Sequence, residues 1–95
     1  MFAAQDVLAG WSGTGEVTDI YSHNGYHIVD TTIADNPCGR AGRFYWPTSD
    51  GDAKDMLSLA LAAMMSQKSV SVAYDENGPA CNWGGAISTH FRISR

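Results

Sequence analysis

Gly51-Asp52-Ala53-Lys54-Asp55-Met56-Leu57-Ser58-Leu59-Ala60-Leu61-Ala62-Ala63-Met64-Met65-Ser66, residues 51–66, reads as the single helix of a chain otherwise patterned for strands. Ser49 or Asp50 can cap its start, Asp52 and Asp55 suit the positive end of its dipole, and Lys68 suits the negative end. On a helical wheel Ala53, Met56, Leu57, Ala60, Leu61 and Met64 form one broad apolar face, predicted to meet the core. Leu59, Ala62 and Met65 fall elsewhere on the circumference, so this helix is apolar beyond one stripe.

The flanks of the helix favour strands. Residues 16–21 form predicted strand one, and the spacing of Val17 and Ile20 breaks strict alternation, as a β-bulge does. Asn24-Gly25 is a strong hairpin turn, because both residues tolerate positive φ; it pairs His23 with Tyr26 and sends His27 to the opposite face. Residues 26–33 form strand two, which Asp35-Asn36-Pro37-Cys38-Gly39 ends, and 43–46 form strand three, which Pro47 ends. After the helix, 69–74 alternate as strand four and 87–93 as strand five, joined by a loop rich in Gly, Pro and Asn. Residues 1–10 show no clear period.

The order strand, strand, strand, helix, strand, strand predicts a mainly β protein with one helix (α+β), specifically a five-stranded OB-fold barrel. A ubiquitin-like roll and an open α+β sheet fit the same order. The 95 residues make a single domain, 1–95, with one core. A formal net charge of -4 disfavours nucleic acid, which could be held only through Arg40, Arg43, Lys68 and Arg92. No run approaches the roughly 20 apolar residues of a membrane-spanning helix, so no transmembrane segment is expected. Met1-Phe2-Ala3-Ala4-Gln5 has neither the basic nor the long apolar part of a secretion signal, which leaves a cytoplasmic protein or one whose leader was replaced by Met1.

Cys38 and Cys81 both sit in loop segments. Two cysteines are too few for a structural zinc site and show no Cys-x-x-Cys spacing, so a disulfide between the loops is the economical reading, with two unrelated thiols as the other. A bridge points to an oxidising compartment, hence a secreted or periplasmic protein.

Signatures of catalysis fail on inspection. Gly10-Trp11-Ser12-Gly13-Thr14 lacks the last glycine of a nucleophile elbow, and Gly13-Thr14-Gly15 lacks the third glycine of a dinucleotide loop. His23 and His27 face opposite sides of their hairpin and His90 falls on the polar face of strand five, so no metal is expected. The chain is predicted to be non-enzymatic, without cofactor or metal. Its aromatic residues point instead to a binding surface, since flat rings stack on pyranose faces while amides and hydroxyls take the polar edges. Tyr21, Tyr26, Tyr45, Trp46 and Trp83 are the ring candidates, with His23, Asn24 and Asn82 in the adjoining loops. OB proteins bind through the face of strands two and three and these loops, which makes the candidates neighbours; the competing reading places the rings in the core.

Trp11-Ser12-Gly13, the strand with Val17 and Ile20, the Ala-rich run 56–63 and Lys68-Ser69-Val70-Ser71-Val72-Ala73-Tyr74 resemble the binding (B) subunits of subtilase-cytotoxin and typhoid-toxin type AB5 toxins and related small secreted bacterial proteins. That resemblance implies an OB fold, a ring of five subunits with helices around a central pore, and recognition of sialylated glycans. It also implies a ligand role for Thr14, which keeps the hydroxyl of the glycan-contacting serine that the family carries before its first strand. Independently, a barrel consumes one helix face and leaves Leu59, Ala62, Ala63 and Met65 partly exposed on a monomer, predicting a homo-oligomer. The alternative sinks the helix in a groove or covers it with 1–10. The expectation is therefore an oligomeric, glycan-binding module, the rival being a protein-interaction or structural module without lectin activity.

Overall fold

A computed structural model describes residues 11–34, 38–74 and 81–94. Among these residues the fold is mainly β with one helix: β1 (Val17–His23), β2 (Tyr26–Thr31), β3 (Arg43–Pro47), α1 (Ala53–Ser66), β4 (Ser69–Tyr74), β5 (Cys81–Asn82) and β6 (Gly85–Ser94). The strands form one mixed, open six-stranded sheet in the order β1-β2-β3-β6-β4, with β5 attached to β6. Only β3 and β6 run parallel; the other pairs are antiparallel.

Local chemistry accounts for the turns. Asn24 and Gly25 take φ of 55° and 86°, and His23 pairs with Tyr26 across them, as the hairpin signal requires. The β1 register shifts between Val17 and Asp19, at the expected bulge. Predicted strand two runs two residues too far. Thr31 ends it, because its hydroxyl donates to Gly42 O at 2.9 Å and accepts from Ile33 N at 3.1 Å, turning the chain out of the ladder. Gly42 is needed opposite: with φ at 81°, an added Cβ would lie 2.1 Å from Thr31 O.

The five predicted strands are corrected to six. Asn82 pairs with Gly85 around Trp83 and Gly84, so part of the long loop folds back as β5 and β6 begins earlier than predicted. The helix begins at Ala53 rather than 51. Asp50 organises its start, accepting from Asp52 N at 2.8 Å through its carboxylate and from Ala53 N at 3.0 Å through its carbonyl. Gln67, in the left-handed conformation, closes it by donating its N–H to Ala63 O.

The core lies between α1 and the inner sheet face, with Val29, Phe44, Trp46, Val70 and Val72 meeting Met56, Ala60 and Ala63. The buried helix row is Ala53, Met56, Ala60 and Ala63. Two expectations are thereby corrected. Leu61 and Met64, predicted to be core, are exposed, and Ala63, predicted to be an exposed interface residue, is fully buried. The spacing of Ala53, Met56, Ala60 and Ala63 puts them on one helical face, so the phase of the helix against the sheet, and not hydropathy, decides which side chains are buried.

The open end of the sheet has company. Residues 11–15 run beside β4, with Ser12 N donating to Val72 O at 2.8 Å and Gly15 and Val70 exchanging backbone bonds of 3.0 and 2.8 Å. The Ser12 hydroxyl also accepts from Val72 N at 2.9 Å. The segment that leads into β1 thus lies against β4, the opposite end of the sheet.

Candidate aromatic binding face

Alternation along β3 sends Phe44 and Trp46 into the core and Arg43 and Tyr45 to the outer face. Across the ladder, Tyr21 pairs with Ile28, Ile28 with Tyr45, and Tyr45 with Ile87, so an apolar row crosses that face. Its centre is covered even though it lies outside the main core: Ile28 and Tyr45 are each 1% exposed.

The cover is the β5 turn. Trp83 lays its indole edge-on to Tyr26, Tyr45 and His23, with ring centroids 5.3, 5.4 and 5.5 Å away, and keeps 39% of its surface in solvent. Tyr26 also meets Tyr45 at 5.6 Å. Asn82 Nδ2 donates to the Tyr45 hydroxyl at 3.0 Å. A disulfide between Cys38 and Cys81, with a Cα–Cα distance of 5.6 Å, staples the start of β5 to the loop before β3. Arg40 N donates to Gly84 O at 3.0 Å and fixes the other side of the turn.

An ion pair borders the rings. Arg43 donates to both carboxylate oxygens of Asp30, at 2.7 and 3.0 Å, and to Trp83 O at 3.2 Å. The Asp30 hydrogen bonds lead in raising the Arg43 pKa above its ordinary value, and the nearby negative charge outweighs the opposing effect of burial. The guanidinium lies 6.0 Å from the Tyr21 ring centroid, so Tyr21 belongs to the same face.

The backbone of Trp83 is unusual. Its φ is 54°, and Gly84 follows at 77°. An L-residue pays in steric energy there, roughly 1 kcal/mol or more, and Asn or Gly suits the position better than a bulky side chain. The turn therefore carries its indole against its own backbone preference.

Of the predicted ligand residues, the fold brings together His23, Tyr26, Tyr45, Asn82 and Trp83, with Tyr21 adjoining and the exposed Asn24 in the turn beside His23. Tyr45 is the floor of the cluster, shielded from solvent. Trp46 is corrected to a core residue: it is fully buried, and its Nε1 donates to Ala53 O at 3.1 Å. Thr14 is exposed but stands before β1, beyond the end opposite His23, and so does not join the cluster. Sequence reasoning missed the Arg43–Asp30 pair and Ile28; the only signal was strand register, which places Asp30 opposite Arg43.

Two hydroxyl and imidazole pairs occur, Ser22 with His27 Nδ1 at 3.0 Å and Thr89 with His90 Nδ1 at 3.1 Å. Among the described residues no carboxylate bonds to either ring, and no trio of His, Cys, Asp or Glu gathers around a common point. Among the described residues no helix is long and apolar enough to cross a membrane. No family model, curated protein or solved structure matches the chain.

Proposed function

We propose that the chain is a non-catalytic binding module of the OB type whose outer aromatic face stacks on a sugar ring. The order β1-β2-β3-β6-β4, the parallel β3 and β6, and the contact of residues 11–15 with β4 support a barrel closed around α1, with β5 as an insertion in its last loop. The same features support kinship with AB5 toxin B subunits. The disulfide supports residence in an oxidising compartment, secreted or periplasmic.

One observation carries the reading: Trp83 occupies a turn position that disfavours it and holds an exposed indole among His23, Tyr26 and Asn82. Strain kept at one exposed aromatic marks function better than ring content does. The indole offers a flat apolar surface, and the Asn82 amide and His23 imidazole offer polar edges, the combination a pyranose needs.

Screening on immobilised glycans, with Trp83→Asn beside the parent chain, tests this. Asn restores the preferred turn residue and removes only the indole. The parent binds at least one glycan saturably and the variant loses at least tenfold in affinity. Absence of binding by the parent favours a protein-interaction module instead, a reading that Leu61, Met64 and the 82%-exposed Met65 on α1 support. That apolar flank, with Leu59 and Ala62, is also where a homo-oligomer would assemble, as a pentamer if the kinship with the toxins holds.

A further inference from the structure

We propose that a groove between the start of α1 and β6 is a second binding site, for one aliphatic ammonium group. Its volume is about 200 Å³, its apolar walls are Trp11, Met56, Leu59 and Phe91, and Asp52 and Asp55 line it beside them. It lies against residues of α1, β6 and the segment before β1, none of which belongs to the aromatic face. The proposal therefore stands whether or not that face binds sugar.

Size and charge select the occupant. Drug-sized sites begin at about 300 Å³, so this groove admits one side-chain-sized group. Met56 and Phe91 are buried and Leu59 is half open, which suits a short aliphatic stem. Neither Asp52 nor Asp55 takes part in a side-chain hydrogen bond or ion pair among the described residues. Carboxylates beside an apolar wall attract a cation that can bury its stem, as an ammonium on a methylene chain does.

The other charges nearby reduce this attraction without cancelling it. From β6, His90 lines the groove, and the Arg92 guanidinium sits 4.2 Å from the Trp11 ring centroid, tied to Ser71 Oγ at 3.1 Å. The start of α1 adds roughly half a positive charge. Against these stand the two full negative charges of Asp52 and Asp55 in the lining of the groove itself.

The test is a titration of ¹⁵N-labelled protein with butylammonium, with butanol and butyrate as neutral and anionic isosteres. The site predicts saturable shifts at the Trp11 indole N–H and the Leu59 and Phe91 amides, butanol at least tenfold weaker, and no butyrate binding. Asp52→Asn with Asp55→Asn lowers butylammonium affinity about tenfold, the sum of two exposed carboxylate contacts, with the melting temperature as the folding control. Nα-acetyl-lysine methylamide distinguishes the sources: binding as tight as butylammonium assigns the site to a lysine side chain, and exclusion assigns it to a free amine. Equal responses to butylammonium and butanol, shifts confined to other residues, or no response overturn the proposal.

Discussion

The indole of Trp83 meets the ring of Tyr45 edge-on at 5.4 Å and helps to remove from solvent a tyrosine on the sheet face away from the main core. The outer sheet face thus has a small hydrophobic centre of its own, and the residue that seals it keeps 39% of its own surface in solvent. Edge-to-face pairs of this kind each contribute about 0.5–1.5 kcal/mol beyond burial, which fixes the indole without hiding it.

The disulfide is expected to dominate stability. Cys38 and Cys81 lie 43 residues apart, and closing a loop of that size is worth about 4 kcal/mol in the chain-entropy model. Urea denaturation of Cys38→Ser with Cys81→Ser should show a loss of roughly 2–4 kcal/mol, matched by the parent chain under reductant. A change below about 0.5 kcal/mol would mean that the β5 turn is held by its hydrogen bonds alone.

Asp30→Asn should cost about 2 kcal/mol, because the Arg43 guanidinium, little exposed, loses its charged acceptor. The sign of the pH dependence follows from the raised Arg43 pKa. A base that holds its proton more tightly when folded contributes stability at all pH values below its ordinary, strongly basic pKa and loses it only as pH rises through the higher folded value. The Arg43 contribution is accordingly flat across neutral pH. Comparing Arg43→Met with the parent at about pH 6 and pH 9 should give the same difference at both.

Gly42→Ala should be among the most damaging single-methyl changes. It combines a φ of 81° with a Cβ placed 2.1 Å from the Thr31 carbonyl, so the β2 end or the β3 start must move. A loss of about 3 kcal/mol or more is expected by thermal melting, against about 1 kcal/mol for Gly25→Ala, where φ is positive but space is open.

The two sides of α1 should respond differently. Ala63→Leu overpacks the core and should cost about 1–3 kcal/mol, whereas Met65→Glu should leave the monomer's stability within about 0.5 kcal/mol. If the exposed flank assembles the protein, light scattering finds the parent above 10.2 kDa and Leu61→Glu with Met65→Glu at that mass. A parent at 10.2 kDa at micromolar concentration contradicts assembly.

Much of the architecture was legible because it rests on local chemistry. Asn24-Gly25 set the first hairpin, Ser69 to Tyr74 alternated cleanly, and the helix formers after Asp52 specified α1. What sequence left open depended on distance in space. Leu61 and Met64 outrank Ala63 in hydropathy, yet α1 turns the row Ala53, Met56, Ala60 and Ala63 to the sheet and leaves Leu61 and Met64 exposed. The two-residue β5 was hidden because a tryptophan occupies a turn position where Asn or Gly signals a hairpin.

For the binding face, residue type narrowed the candidates and register decided among them. Tyr45 and Trp46 are neighbours in sequence, but one residue of strand puts Tyr45 under Trp83 and Trp46 into the core. Nothing local in Asp30 or Arg43 announces their pairing, which needs the β2 and β3 alignment. The wall that Trp11 forms with Leu59 and Phe91 likewise needs three separate elements brought together.

The most direct measurement is chemical-shift mapping with a glycan that the parent chain binds. The account predicts that the largest saturable changes fall on the Trp83 indole N–H, the His23 and Tyr26 rings and the Asn82 side-chain amide. Changes confined to α1 or to the segment around Thr14, with the Trp83 indole unmoved, would contradict it.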